Sequence, residues 1–370
     1  MNGLPAFTLQ RPATAREAAA LLAGGARALA GGTDLLPNLR HGLEQPAQLV
    51  DLTLVAGLDA VELRDGALVI GAGVTLARLI GDPLVSQHLA ALAEAAAAVA
   101  GPGHRSAATV GGNLCQDTRC VYYNQSDWWR ASNGWCLKRA PRPEPMARTA
   151  PRAPQEPLRG SGGSSSPAEP ELLERGGAIC HVAPQGQRCH AAFSGDLAPA
   201  LLAAQAELEI ATPGGTRRML LADLYRDDGA SHLTLSAGEF VSAVSIAVPA
   251  LPWRSGYRKA RVRAAMDFPL AGVGAVLSLR EGVVAQIGVA LSGTNSRPIV
   301  LQGLEGWIGQ RIDDARLAAL GKLVQQQVSP MRSTATASNY RRQVAAVLAQ
   351  RLVRELAEPS GGPAPGGSVR

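Results

Sequence analysis

The sequence is poor in aromatic residues, 4% Phe, Trp and Tyr, and has only five cysteines in 370 residues. No apolar run is long enough to cross a bilayer: the most membrane-like stretch, Leu89 to Gly101, is short, alanine-dominated and interrupted by Glu94. The start, Met1-Asn2-Gly3-Leu4-Pro5-Ala6-Phe7, lacks a basic segment followed by an apolar one, so no secretory leader is expected and the chain is expected in the cytoplasm. Thiols stay reduced there, which turns the cysteines towards metal or redox chemistry rather than disulfides. Lys and Arg give a net charge of +6, but they are scattered, without a basic run or an aromatic–basic platform. Neither nucleic acid nor a membrane is therefore an expected partner. No HExxH pair or Ser/His/Asp set stands out, and the six histidines are dispersed.

What is present is enough apolar material for real cores, 46% of residues with 18% charged, and a length that predicts two domains at roughly 100–200 residues each. The expected fold is α+β. Residues 1–228 form the first part. A helix over 14–22, a strand over 27–30 and a strand over 49–52 come first, then a hairpin turning at Arg64-Asp65-Gly66, then a long Ala/Leu helix over 75–100 stopped by Gly101-Pro102-Gly103. Residues 139–175 break this pattern: they hold eight of the 25 prolines and a Gly/Ser run over 160–166, too little apolar surface to order themselves, and read as a disordered insertion. A helix over 196–204 and strands over 207–211 and 217–221 follow. A second domain is expected over 229–357, opening with a strand over 240–248. Strands over 256–263, 272–279 and 283–291 and helices over 313–327 and 338–356 complete it, before a frayed tail over 358–370.

Two loops carry possible anion chemistry. Leu29-Ala30-Gly31-Gly32-Thr33-Asp34-Leu35 lies between a predicted strand and a predicted helix, and Thr109-Val110-Gly111-Gly112-Asn113 repeats the pattern. Paired glycines allow a sharp turn that aims successive N–H groups at an anion, and a helix start adds partial positive charge. Two such loops suggest a diphosphate held from both sides; neither is a Walker loop or a G-x-G-x-x-G fingerprint. A phosphate-bearing cofactor and a purely structural role are level on these grounds.

Looping out the insertion makes Cys120, Cys136, Cys180 and Cys189 neighbours, with Cys115 nearby. Four thiolates can bind zinc or an iron–sulfur cluster, and a packing cluster of ordinary buried cysteines is equally compatible with this loose spacing. His181 and His190 each follow a cysteine, so a three-cysteine, one-histidine site stays open too.

The loop residues 30–35 and 109–113, together with Gly195-Asp196-Leu197-Ala198-Pro199-Ala200-Leu201-Leu202, resemble the FAD-binding medium subunits of molybdenum hydroxylases, the xanthine and carbon monoxide dehydrogenase relatives. The likeness covers most of residues 5–355. Cys115 to Arg130, with Cys180-His181-Val182-Ala183-Pro184 and Arg188-Cys189-His190-Ala191, is similar to a narrower branch, the beta subunits of 4-hydroxybenzoyl-CoA reductases. This resemblance implies FAD as cofactor and a [4Fe–4S] cluster on Cys120, Cys136, Cys180 and Cys189 within a loop over 115–190; the long insertion departs from the pattern. For FAD it implies contacts at Leu29, Ala30, Gly31, Gly32, Thr33, Asp34, Leu35, Thr109, Val110, Gly111, Gly112 and Asn113. Backbone donors are expected at the glycines and Thr33, and Asp196 as a further contact or as a helix cap. Arg258 or Lys259 is expected beside the isoalloxazine, where a cation would stabilise reduced flavin, and Asp34 as cap of the helix after the first loop. The implied assembly is a heterotrimer, able to pair, with a large molybdopterin subunit and a small [2Fe–2S] subunit. Electrons would come from a ferredoxin-like donor, and 4-hydroxybenzoyl-CoA would be reduced on the large subunit. Two readings stand against it: the flavin subunit of another molybdenum hydroxylase with incidental cysteines, and a non-redox zinc module.

Overall fold

A computed structural model describes residues 3–139, 177–263 and 266–358. The expected insertion, but for Arg139, and the expected tail, but for Glu358, lie outside the described residues.

The chain begins β1 (Thr8–Gln10), α1 (Ala15–Ala23), β2 (Arg27–Leu29), α2 (Leu35–Arg40), β3 (Gln48–Asp51). The three strands form a parallel sheet in the order β1-β3-β2, so each connection is a crossover carrying a helix. Thr14 starts α1 with a full capping box: its hydroxyl accepts from Glu17 N while the Glu17 carboxylate accepts from Thr14 N. The short β2 delivers the chain directly into Gly31-Gly32.

A second, antiparallel sheet has the order β4-β5-β8-β6-β7, from β4 (Val61–Arg64), β5 (Ala67–Gly71), β6 (Glu207–Thr212), β7 (Gly215–Leu220) and β8 (Phe240–Ala247). The strand expected to open the second domain is thus the middle of this sheet, hydrogen-bonded to β5 and β6. Its alternation reports a strand but not its partners, and the partner strands lie far back in the chain. Between β5 and β6 come α3 (Leu76–Gly81), α4 (Pro83–His88), α5 (Ala90–Ala97), α6 (Pro102–Ala107), α7 (Val110–Leu114), α8 (Asp127–Ser132) and α9 (Leu197–Ala203). The single long helix expected over 75–100 is three helices. Asp82 caps α4 through Leu84 N and Val85 N, Pro83 occupies its first turn, and proline there cannot continue α3. Gly101 likewise precedes a new helix, α6, instead of ending the region.

The third sheet is antiparallel, β12-β11-β10-β9, from β9 (Arg254–Ala260), β10 (Ala271–Arg280), β11 (Val283–Ser292) and β12 (Ile299–Val300); α10 (Asp314–Gln327) and α11 (Ser338–Ala357) close the chain. These two helices and the sheet share a core that includes Val273, Leu277, Leu320 and Leu352, all 1% exposed or less. The opposite face of the sheet receives α9, whose seven residues are all buried. The contact is close because glycine sits beneath it: a Cβ on Gly274 would stand 2.5 Å from Ala200 N, and one on Gly288 would overlap the Ala203 carbonyl. Among the described residues no helix is long and apolar enough to cross a membrane. The mixed helix and sheet architecture matches the expected α+β class.

Candidate functional site

Both glycine loops open on one cavity of about 860 Å³. The first contributes residues 30–35 and the second Thr109, Gly111, Gly112 and Asn113; Arg27, Glu44, Cys115 and Gln116 add polar or sulfur-bearing wall. Leu29 lies behind the first loop, its side chain packed under Gly32, and Val110 is in the core, so neither lines the cavity. The loops are pressed against one another. A Cβ on Gly31 would overlap the carbonyl of Ala107 and lie 3.0 Å from Ala108 N, at the approach to the second loop. Gly32 has φ +70°, the left-handed region that glycine enters without strain.

The two loops differ in what they can offer. The amides of Gly31, Gly32 and Thr33 have no hydrogen-bond partner among the described residues. In the second loop Gly111 N donates to Ala72 O at 2.8 Å and Gly112 N donates to the Thr109 hydroxyl at 3.1 Å. The expectation of backbone donors at all four glycines is therefore corrected: the Thr109 cap and the Ala72 contact hold α7 in place and consume the second pair. The first loop keeps the free donors, and the second supplies close-fitting walls and the Thr109 hydroxyl proton.

Neither Asp34 nor Asp196 makes a cap hydrogen bond, although each directly precedes a helix. Asp34 accepts from Asp117 N at 2.9 Å and forms an ion pair with Arg119. Asp196 accepts from the Tyr257 hydroxyl at 2.6 Å and from Lys259 Nζ, and Lys259 also donates to Ala98 O. Local position suggested caps; buried partners arriving from distant segments won, since an unpaired buried carboxylate is far costlier than an uncapped helix turn. Asp196 and Lys259 are 6% and 4% exposed. Burial pushes the Asp196 carboxyl up, with Lys259 and Tyr257 opposing. Asp196, Arg258 and Lys259 do not line the cavity; Lys259 is anchored on Ala98, next to the cavity residue Val99. Arg258 points elsewhere, bridging Glu94 and Glu355 at the surface, so of the two expected cations only Lys259 is near the site. Asn113 Oδ1 accepts from Leu197 N, tying the second loop to the start of α9.

From α7 the chain runs through Cys115 and Gln116 to a second, smaller cavity of about 10 Å³, lined by Cys120, Cys136, Cys180 and Cys189 together with Tyr122, Tyr123, Lys138 and His181. All four cysteines are buried and none is in a disulfide. Cys115 belongs to the other cavity, and burial raises its thiol to about 12, so it is neutral at the wall of that larger space. Cys180 is lowered to about 5 by the hydrogen bond from Cys189, whose own thiol is pushed up by that pairing. Ala191 N also points at Cys189 Sγ, 3.4 Å away. Among the described residues no three His, Cys, Asp or Glu side chains stand at metal-holding geometry as they are. The donor chemistry nonetheless fits a thiolate-bound centre: the lining offers four buried cysteine sulfurs and no carboxylate. His181 is turned to Trp135 O and His190 does not line the cavity.

Buried Arg130 was not singled out by the sequence. It donates to Gln125 O, to His41 O at 3.1 Å and to Asp127, and lies over the Trp135 ring, fastening the cysteine loop to the end of α2. An arginine among Trp, Asp and Ser gives no sequence sign of being fully buried.

With this geometry in place, comparison with known proteins is decisive for the family. The family described as the FAD binding domain in molybdopterin dehydrogenase matches residues 5–250, and the CO dehydrogenase flavoprotein C-terminal domain matches residues 255–356. The chain belongs to this family. It is the FAD subunit of a molybdenum hydroxylase-type oxidoreductase, and the 860 Å³ cavity with its free glycine amides fits that cofactor. The chain is 35% identical over 295 residues to the aldehyde oxidoreductase FAD-binding subunit PaoB of Escherichia coli, covering 78% of this chain and 82% of that one. It is 24% identical over 352 residues to the carbon monoxide dehydrogenase medium chain of Afipia carboxidovorans, covering 94% and 95%. The solved carbon monoxide dehydrogenase from Oligotropha carboxidovorans has a chain of the same fold, TM-score 0.71 at 22% identity over 96% of this flavoprotein subunit and 99% of that chain.

Proposed function

We propose that this chain is the FAD and [4Fe–4S] electron-transfer subunit of a molybdenum-containing reductase acting on 4-hydroxybenzoyl-CoA. One observation carries the two-centre reading: four cysteines drawn from residues 120–189 line a single cavity, five residues along the chain from Cys115 at the wall of the flavin cavity. FAD supplies the exchange between one- and two-electron chemistry, and a cluster supplies one-electron steps. The protein's part is to hold both. Gly31, Gly32 and Thr33 donate to the flavin diphosphate, and Gly111 and Gly112 admit it closely. Lys259, fixed by Asp196, places positive charge at the flavin end, and Cys120, Cys136, Cys180 and Cys189 ligate the inorganic centre. The substrate site lies on a large molybdopterin subunit, reached through a small [2Fe–2S] subunit, with a ferredoxin-like donor and a cytoplasmic location. The CoA ester rests on the likeness of residues 115–130 and 180–191 to the reductase branch. The two matching family models cover residues 5–250 and 255–356.

Anaerobic purification tests the cofactors: flavin absorption with about four irons per chain is expected, falling to flavin alone in Cys136→Ala. Flavin without iron in the unmutated chain overturns the cluster. The assembled complex should oxidise reduced viologen on addition of 4-hydroxybenzoyl-CoA.

A second reading follows from the 35% identity to an aldehyde oxidoreductase subunit over most of the chain. Here the same two centres carry electrons away from an aldehyde. Turnover of aldehydes with no response to the CoA ester decides for it.

A further inference from the structure

Lys138 is a lysine that folding has put where lysines seldom go. Its side chain is 5% exposed. It lines the cysteine cavity, and among the described residues it is the lysine or arginine that does so. Its ammonium group donates to Asp117 Oδ1 at 2.6 Å, to Thr118 O at 3.1 Å and to the Thr118 hydroxyl at 2.5 Å, and it lies 4.1 Å from the centre of the Tyr123 ring. Its three protons are thus all directed, and the ring face adds an attraction for positive charge. Thr118 in turn donates to Gly229 O, and Gly229 N donates to Cys189 O, so the lysine is braced against a cysteine-bearing segment. On its other side Asp117 N donates to Asp34, which pairs with Arg119. Two acid–base pairs therefore stand in line between the first glycine loop and the cysteine cavity.

We infer that Lys138 sets the reduction potential of the centre in the cysteine cavity: its fixed positive charge favours the added electron, and Asp117 opposes and limits that effect. The inference rests on the proposal that the four thiolates hold an inorganic centre. Each reduction adds one negative charge to that centre, and in a site shielded from water a charge several ångströms away is weakly screened. A lysine needed only to brace the loop would not have to carry charge, and its replacement would not move a potential in a direction predictable from sign.

The test is an anaerobic potentiometric titration of the whole purified chain with dithionite as reductant, following the iron signal by electron paramagnetic resonance and the flavin by absorbance. Lys138→Met should lower the centre's midpoint by at least a tenfold change in the reduction equilibrium, 59 mV for a one-electron couple. Asp117→Asn should raise it, and Lys138→Arg should leave it within threefold. The flavin midpoint should move less in each variant, because Lys138 does not line the flavin cavity. Equal potentials, or shifts of the same sign in Lys138→Met and Asp117→Asn, overturn the inference while leaving the centre itself established. Should Lys138→Met lose its iron, Asp117→Asn decides alone: a midpoint that does not rise overturns it. An iron-free parent chain overturns the underlying reading and the inference with it.

Discussion

Replacing Gly31 by alanine adds one carbon atom, and the structure says where that atom goes. It would occupy the space of the Ala107 carbonyl oxygen and stand 3.0 Å from Ala108 N. Both obstacles are backbone, at the junction of α6 and the second loop, so no side-chain rotation relieves them. Ala108 N is itself held by His104 O at 2.7 Å, which resists displacement. The first loop must therefore back away, carrying the Gly31, Gly32 and Thr33 amides with it. Overpacking of this rigid kind costs about 3 kcal/mol, the upper end of the usual range. Spent on the flavin-bound geometry, that is roughly a hundredfold weaker FAD binding, at 1.4 kcal/mol per factor of ten. Fluorescence titration of the flavin-stripped protein with FAD measures it. Gly103→Ala, where nothing lies within 4 Å of the added atom, is the matched control and should bind as the parent does. If Gly31→Ala binds FAD within threefold of the parent, the loops do not meet as described and the site is wrong.

His232 is buried and its pKa is lowered to about 4, chiefly by burial, with Nε2 donating to Gln116 O. The unfolded chain takes up this proton near pH 6.5 and the folded chain only near 4. Stability should thus fall by about 3 kcal/mol as pH drops through that window, and His232→Gln should flatten the slope in urea unfolding at successive pH values. Arg130→Met removes donors from the carbonyls of Gln125 and His41 and leaves Asp127 without that cation. It should destabilise the cysteine loop by about 3 kcal/mol and lower iron content while FAD stoichiometry, read from the same absorbance spectrum, is kept. Lys259→Met strands the Asp196 carboxylate in a 6%-exposed site. Loss of about 3–5 kcal/mol of stability is expected, with Lys259→Met/Asp196→Asn recovering much of it in thermal unfolding. Gly274→Ala, 2.5 Å from Ala200 N, should unfold several degrees earlier than the parent.

The glycine loops were readable because their chemistry is local. A strand, two glycines, a hydroxyl and an aspartate sit within seven residues, and the structure opens them onto one cavity. Strand and helix positions in the C-terminal part were readable for the same reason, each set by its own alternation or periodicity. What stayed hidden depends on distant partners. The strand at 240–247 reads as a strand from any window, but only pairing with β5 and β6 shows which sheet owns it. Asp34 and Asp196 read as caps because a cap needs only its next three residues, whereas Arg119, Tyr257 and Lys259 approach from 60 or more positions away in sequence. Spacing alone left the cysteines ambiguous across the long insertion. Looping out the insertion made the four neighbours in sequence, but their convergence on one cavity is a tertiary fact that spacing does not fix.

The helix over 197–203 has no face turned to solvent, and glycines at 274 and 288 are the dents in the C-terminal sheet that receive it. That joint makes the two halves poor candidates for separate expression: a chain cut near residue 250 would leave the front half with a bare greasy plug and the back half with an empty socket. Chimaeras that exchange the rear portion between related subunits should stay soluble only when plug and socket travel together.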